Sequence, residues 1–532
     1  MKVHHIHYRT TGYFSKLICD YLGKDPSLSD FYENTPNIEG FKKQIELKQA
    51  EENVSEFPRD LLVAALKSQY KNLNISENTA LNIEVLKDKN TYTITTGHQL
   101  NIFTGPMYFL YKIVSVINLT KQLKKEFPAQ KFVPIYWMAT EDHDFEEINY
   151  FNFKNKKIQW KTDDSGAVGR LNTDGFEAVF NEFSQLLNNS ENADYLRNLF
   201  KNAYLKHSSL TEATRYLVNE LFTDYGLVVI DGDYPELKQH FAPIVKDELL
   251  SNISFQQVSK SNDLLGEKYK IQVNPREINL FYLENGLRER IIFENDMFKI
   301  NGTSRTFSKD EILEELQNFP ERFSPNVIMR PLYQEAILPN LAYIGGGGEI
   351  AYWFQLKKYF EVLKIPFPIL LLRNSVMMMS SKQFKKMTKL NISLDEIFIK
   401  QESLINKKVK EISEVAIDFT NQKLFLQQQF ITLKELANKT DKSFEGAVFA
   451  QEKKQLNGLD KLEKRLLKAQ KRKLANEIER LKLIQNELFP NQSLQERTCN
   501  FSEYYLKLGS NFIPMLFEAL KPLKQQFAII EY

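Results

Sequence analysis

At 532 residues the chain is longer than one hydrophobic core supports, so several domains are expected. Hydrophobic residues make up 42% and aromatic residues 12%, ample for burial, and the mean hydropathy of -0.41 predicts a soluble protein. Charged residues make up 26%, but the formal net charge is only +2, so overall charge gives no ground for a nucleic-acid or acidic-membrane partner.

The two cysteines, Cys19 and Cys499, show neither CxxC nor zinc-ligand spacing, which excludes a disulfide framework. The start, Met1 to Tyr8, lacks the apolar core of a signal peptide, and no apolar run reaches membrane-spanning length. The expected location is the cytoplasm.

From Met1 to about Ser380, β-branched or aromatic runs alternate with helical patterns, the signature of an α/β domain with insertions. Tyr92-Thr93-Ile94-Thr95 reads as a buried strand. The stretch from Thr95 to Tyr108 follows it and is expected to turn through Gly97-His98-Gln99 into a helix start, whose free N–H groups suit a phosphate or carboxylate.

Phe132 to Met138 leads into Ala139-Thr140-Glu141-Asp142-His143-Asp144. Three carboxylates around one imidazole suit general base work on an amine or hydroxyl. The same cluster could ligate a divalent metal or simply open a helix with acidic residues. Leu227 to Ile230 leads into Asp231-Gly232-Asp233.

Leu341 to Ile344 leads into Gly345-Gly346-Gly347-Gly348-Glu349, where four missing Cβ atoms and access to positive φ would let a ligand approach the backbone. The run lacks the Gly-Lys-Ser/Thr ending of a P-loop and the spacing of a dinucleotide fingerprint. Ile369 to Leu372 leads into Arg373-Asn374-Ser375. Five strand ends thus deliver polar groups, as expected of an active-site crevice in an open sheet.

From about Leu394 the pattern becomes helical and highly charged. Ser393 to Glu396 reads as a capping box, followed by apolar positions from Ile397 to Phe419 at spacings near three and four. A second run from Leu456 to Leu488 ends at Pro490, and Asn438 to Ser443 is short and polar enough to join two antiparallel helices. Arms of roughly 40 residues would extend about 60 Å. A seam of that length needs a partner, and a homodimer is expected.

Basic residues outnumber acidic ones in the second arm, from Lys461 to Lys482, but no aromatic residue interleaves them to stack bases. The basic face reads as the solvated side of a coiled coil.

Four blocks together carry a resemblance: Thr96-Gly97-His98-Gln99 with Thr104-Gly105-Pro106-Met107-Tyr108, Trp137 through Asn149, Arg330-Pro331-Leu332-Tyr333-Gln334, and Gly345 through Gln355. In this order they resemble the bacillithiol biosynthesis cysteine-adding enzyme, the cysteine ligase family, over nearly the whole chain.

The resemblance implies a Rossmann-like parallel-sheet core with connecting-peptide insertions, plus a long antiparallel helical coiled-coil domain for dimerisation. The implied boundaries are core at 1–155, 221–250 and 326–380, insertions at 156–220 and 251–325, coiled coil at 381–497, and a return to the core at 498–532. It also implies that cysteine is joined to glucosamine-malate in the last step of bacillithiol synthesis. The fold resembles class I aminoacyl-tRNA synthetases, and ATP would activate the carboxylate. The lysine-rich signature loop of those synthetases is not recognisable after Ser375.

On this reading Asp142, His143 or Asp144 orients or deprotonates the attacking amine. Backbone N–H groups near Gly97, His98 and Gln99 and around Gly345 to Gly348 hold an anion, and His98 itself is expected to hydrogen-bond. Arg330 and Arg373 supply positive charge. Thr96, Asn101, Thr104, Gly105, Glu141, Asp231, Glu349 and Ser375 complete the candidate binding residues. Tyr108, Trp137 and Trp353 read as packing residues. The expected partners are small molecules, with no metal, membrane or nucleic acid. A non-catalytic coiled-coil scaffold and a synthetase-like RNA-binding protein are the competing classes.

Overall fold

All five runs read as strands form one parallel sheet: β1 (Thr91–His98), β2 (Lys131–Met138), β3 (Val228–Asp231), β4 (Asn340–Gly345) and β5 (Ile369–Leu372), in spatial order β5-β4-β1-β2-β3. They come from a computed structural model, which describes residues 1–52 and 58–532. Every residue of β1, β4 and β5 is buried. β5 is apolar throughout, as a strand covered on both faces should be, whereas β1 carries Thr93, Thr95 and Thr96, whose hydroxyls donate to Asn340 and to the Ile344 carbonyl of β4.

Parallel pairing of β1 with β2 runs from Thr91 opposite Lys131 to His98 opposite Met138, and β3, β4 and β5 extend the same sense. All five carboxyl ends therefore emerge at one edge. The chain builds outward from β1 through β2 and β3, then restarts on the other side with β4 and β5. The switch point between β1 and β4 is where such sheets leave a crevice.

Helix α1 (Tyr108–Glu126) follows β1 and packs Val116, Leu119 and Leu123 against Tyr92, Ile94, Phe132, Leu341, Ile344, Ile369 and Leu371. Truncating a fully buried leucine here, Leu119→Ala, would cost about 2–5 kcal/mol.

The chain divides into two compact units. The first comprises Met1–Arg9, Tyr13–Met378 and Ser493–Ile530, and the second Thr10–Gly12, Met379–Gln492 and Glu531–Tyr532. The first also contains an antiparallel sheet with the strands Leu280–Glu284, Leu287–Glu294 and Phe323–Pro325.

In the second unit, Thr420–Ala437 pairs with the 32-residue helix Lys442–Lys473 across the polar turn at residues 438–441. Phe430, Ala437 and Val448 form their buried seam, and Lys423 pairs with both Asp460 and Glu463 at 2.7 Å. The expected first arm is not continuous. Gln401–Ile412 ends where the Ser413 hydroxyl binds Val415 through both its N–H and its carbonyl, and the chain is irregular until Asp418 accepts from the Thr420 N–H at the start of the next helix. The Ser393–Glu396 capping box forms, but it closes only the short turn Glu396–Phe398. Among the described residues no helix is long and apolar enough to cross a membrane.

Candidate functional site

β1 continues through Gly97 to His98, and α1 begins only at Tyr108, so Gly97 and His98 are strand residues and not a helix start. Between them Phe103, Thr104 and Gly105 all take positive φ, at 48°, 68° and 58°. Such a turn is costly for the first two and must be held from outside. The Tyr204 hydroxyl accepts from the Phe103 N–H at 2.6 Å. Asn500 Nδ2 donates to the Phe103 and Gly105 carbonyls at 2.8 and 2.6 Å. A Cβ on Gly105 would sit 2.6 Å from that of Asn101, so only glycine fits.

A cavity of about 800 Å³ opens at the carboxyl edge of the sheet. Gly97, His98 and Gln99 from β1, residues Glu141 to Asp144 after β2, Gly346 to Glu349 after β4, Arg373 after β5 and Arg330 all line it. Seven lysines and arginines line the wall against four carboxylates, a balance that favours an anionic ligand.

Lys112, one turn into α1, is almost fully buried. Its Nζ donates to the Gly97 carbonyl at 2.7 Å and pairs with Glu349 Oε2 at 2.6 Å. Glu349 also accepts from the Tyr343 hydroxyl at 2.7 Å and the Gly346 N–H at 2.8 Å. Burial opposes its ionisation, but Lys112 and these donors hold its carboxyl below the usual range.

Arg373 is bound by Glu496 Oε1 at 2.8 Å, the Asn374 carbonyl at 3.0 Å and the Ser375 hydroxyl at 3.1 Å, and its guanidinium lies over the Tyr108 ring. Among the described residues its Nε, together with Arg330 Nη2 and His98 Nε2, is buried without a hydrogen-bond partner. The His98 side chain thus makes no bond through Nε2. Burial, reinforced by Lys112 and Arg373, pushes its pKa well below the usual value and leaves the ring neutral.

In the acidic loop, Asp142 is fully engaged. Its Oδ2 accepts from Gln99 Nε2 at 2.8 Å and its Oδ1 from the His143 and Asp144 N–H groups at 2.7 and 3.3 Å. His143 Nδ1 lies 2.6 Å from Arg288 Nη1, an arrangement in which the ring nitrogen accepts. Among the described residues the Asp144 carboxylate has no hydrogen-bond or ion-pair partner. Behind the loop Glu141 pairs with buried Lys238, which also lies 3.5 Å from Asp233. Asp233 takes a bidentate contact from Arg170 at 2.7 and 2.9 Å.

Seven candidate residues do not line the cavity. Thr96 donates to the Ile344 carbonyl at 2.7 Å within the sheet, and Asn101 donates to the Glu147 carbonyl at 2.8 Å. Thr104 and Gly105 build the left-handed turn. Gly345 ends β4, Ser375 anchors Arg373, and Asp231 accepts from the Thr140 hydroxyl, tying β3 to the residues after β2. None of the four glycines adopts positive φ. Close packing accounts for the first two instead: a Cβ on Gly345 would lie 2.9 Å from Tyr343 and one on Gly346 3.3 Å from Glu349 Oε2, whereas Gly347 and Gly348 have room for one. Of the residues read as packing groups, Trp353 is fully buried, whereas Tyr108 and Trp137 also reach the cavity.

Lys112, Arg276, Arg288, Arg290, Tyr343, Tyr352 and Arg497 line the cavity and were not anticipated. A lysine within the nearly apolar run from Phe109 to Ile117 was a usable signal, as was the spacing of Arg288 and Arg290, which puts both on one strand face. Among the described residues no three His, Cys, Asp or Glu side chains are grouped to hold a metal ion.

These features define a Rossmann-like α/β protein with an anion-suited crevice at the switch point of its sheet and a separate helical unit. Two family models cover almost all of it: "Bacillithiol biosynthesis BshC, N-terminal Rossmann-like domain" over residues 1–374 and the C-terminal coiled-coil domain of the same description over 376–532. The chain belongs to the BshC family of bacillithiol biosynthesis. A relative from Flavobacterium johnsoniae, named "Putative cysteine ligase BshC", is 56% identical over 525 residues, covering 99% of each chain. Relatives of the same name from Christiangramia forsetii, covering 99% of this chain and 98% of their own, and from Cytophaga hutchinsonii, covering 96% and 95%, are 53% and 37% identical. An arginyl-tRNA synthetase structure from Plasmodium falciparum aligns with 87% of this chain and 82% of its own at 11% identity, with a TM-score of 0.22, too low to inform the site.

Proposed function

We propose that the chain joins cysteine to glucosamine-malate in the last step of bacillithiol biosynthesis, in the cytoplasm, after activation of the cysteine carboxylate by ATP. The observation that carries this reading is one cavity rich in cations whose buried Arg373 Nε, Arg330 Nη2 and His98 Nε2 have no hydrogen-bond partner among the described residues. Unpaired buried polar atoms are costly unless a ligand completes them. The cysteine-ligase names of the relatives support the same chemistry.

A free carboxylate is a poor electrophile, so its oxygen would attack ATP, either at the α-phosphorus with loss of pyrophosphate to give an adenylate or at the γ-phosphorus with loss of ADP to give an acyl phosphate. The amine nitrogen of the glucosamine then attacks the carbonyl carbon. A C–N bond forms, the C–O bond to the phosphoryl group breaks, and AMP or phosphate leaves with the electron pair. The proton lost by the amine passes to a carboxylate, and Asp144 is the group assigned that role because its oxygens accept no hydrogen bond among the described residues. Asp142 orients the loop and His143 is held by Arg288. Arg330, Arg373, His98 and the backbone of Gly346 to Gly348 would hold the anionic groups.

The second unit would form a homodimer through its exposed apolar face. Incubation with glucosamine-malate, cysteine and ATP, followed by mass spectrometry of the thiol and quantification of ADP and AMP, tests the reaction. One nucleotide product per amide is expected. Folded protein that yields no thiol overturns the reading.

A further inference from the structure

Resting on the ligase reading, we infer that Arg276 and Arg290 bind the two carboxylates of the malate group of the acceptor, and that Asn279 positions Arg276 to do so. Both arginines line the cavity, and among the described residues neither guanidinium has a hydrogen-bond or ion-pair partner. Their neighbour Arg288 differs. It is fully committed, through Nε to the Ser324 hydroxyl at 3.1 Å, Nη1 to His143 Nδ1 at 2.6 Å and Nη2 to the Pro325 carbonyl at 3.4 Å.

The backbone beneath the free guanidinia is rigid. The Arg276 N–H donates to Asn279 Oδ1 at 3.0 Å, and the Arg276 carbonyl accepts from Asn279 Nδ2 at 2.7 Å. Asn279 is fully buried. Its N–H donates to Glu248 Oε1 at 3.1 Å, its Nδ2 to the Ser254 hydroxyl at 2.6 Å, and its Oδ1 accepts from Asn326 Nδ2 at 2.9 Å. One buried amide thus fixes the main chain of an exposed arginine whose side chain is left free. Arg290 stands two residues along the strand from Arg288, on the same face, with its carbonyl bound by the Asn301 N–H at 2.9 Å.

Position selects the ligand. Arg288 touches His143 in the acidic loop, so its strand face borders the carboxylates assigned to the amine. The acceptor carries its amine and its malate on one sugar, and Asp144, Arg276 and Arg290 line the same cavity, which is what one acceptor engaging all three requires. Guanidinium forks match carboxylates in pairs, and a fixed backbone lowers the cost of ordering them.

The test uses the full chain with Arg276→Ala, Arg290→Ala and the double substitution, titrated calorimetrically with glucosamine-malate and, as a control, with glucosamine. Each single change is expected to weaken glucosamine-malate binding about tenfold or more, to leave glucosamine unaffected, and to raise KM for glucosamine-malate while kcat and the KM for cysteine stay within about threefold. Arg276→Lys should restore part of the loss. Asn279→Ala, with both arginines present, should raise the same KM.

Unchanged affinity in the double variant, or a wild type that does not bind glucosamine-malate, overturns the inference. Binding that is lost in the variants but accompanied by no thiol product in the wild type overturns the ligase reading and leaves the carboxylate site standing.

Discussion

Arg373 donates through Nη2 to Glu496 Oε1 at 2.8 Å, joining the residue after β5 to one 123 positions later, with both side chains almost wholly excluded from solvent. The second Glu496 oxygen accepts from the Val376 N–H at 3.0 Å, so the carboxylate is fixed on both sides. Glu496→Gln would remove the only carboxylate within ion-pair distance of Arg373 among the described residues and leave a buried guanidinium without its counter-charge. A loss of about 3–5 kcal/mol is expected, measured by urea denaturation, together with weaker binding of anionic substrate.

The acidic loop yields a sharper distinction. Asp144→Asn should lower kcat by about 10²–10⁴ with an unchanged melting temperature. Asp142→Asn should shift stability as well as rate, because it places an amide opposite Gln99 Nε2 or removes the acceptor of two backbone N–H groups. Equal rates for Asp144→Asn and wild type would remove Asp144 from the proton transfer.

Steric room separates the first and last glycines of the run. Gly345→Ala would press a methyl to 2.9 Å from Tyr343 Cε1 and 3.0 Å from Glu349 Cβ, whereas a methyl on Gly348 would meet only Gln272 Nε2 at 3.9 Å. The first should destabilise by about 1–3 kcal/mol and the second should be near neutral in thermal melts.

Much of this arrangement was legible in the sequence, for identifiable reasons. The five strands are short runs of β-branched, aromatic or aliphatic residues bounded by polar clusters, and parallel pairing brings their ends together once the order is known. The path from His98 to Tyr108 was not legible, because the left-handed turn at Phe103 and Thr104 is imposed by Tyr204 and Asn500, far away in sequence. Arg276, Arg288 and Arg290 were missed for a related reason: they lie outside any recognised block and reach the cavity only through tertiary packing. The helical pattern of the first arm hid its interruption, since Ser413 and Asp418 redirect the backbone through local side-chain bonds.

In the second unit, Glu396 accepts from Lys407, from the Ser393 N–H and from Lys408, and burial only partly offsets them. Its carboxyl is held down at about 2 against an ordinary 4.5. A depressed folded-state pKa contributes stability that is complete above the unfolded value and is lost as pH falls through the folded one. The difference in denaturation midpoint between wild type and Glu396→Gln should therefore be constant near neutrality and shrink between pH 4.5 and about 2.

Phe425, 70% exposed, and Leu424, 55% exposed, sit on the helix Thr420–Ala437. Replacing both with glutamate should convert the expected dimer to a monomer in light scattering at unchanged helicity. A wild type that is already monomeric would remove the dimer.

The hold of Asn500 on the Phe103 turn and of Glu496 on Arg373 sets an order of events during synthesis. The strands that frame the crevice leave the ribosome early, yet the groups that brace them emerge only after the entire helical unit has been translated. The site is therefore completed as a late act of folding, and a nascent chain halted within the coiled coil would hold the frame without its fastenings.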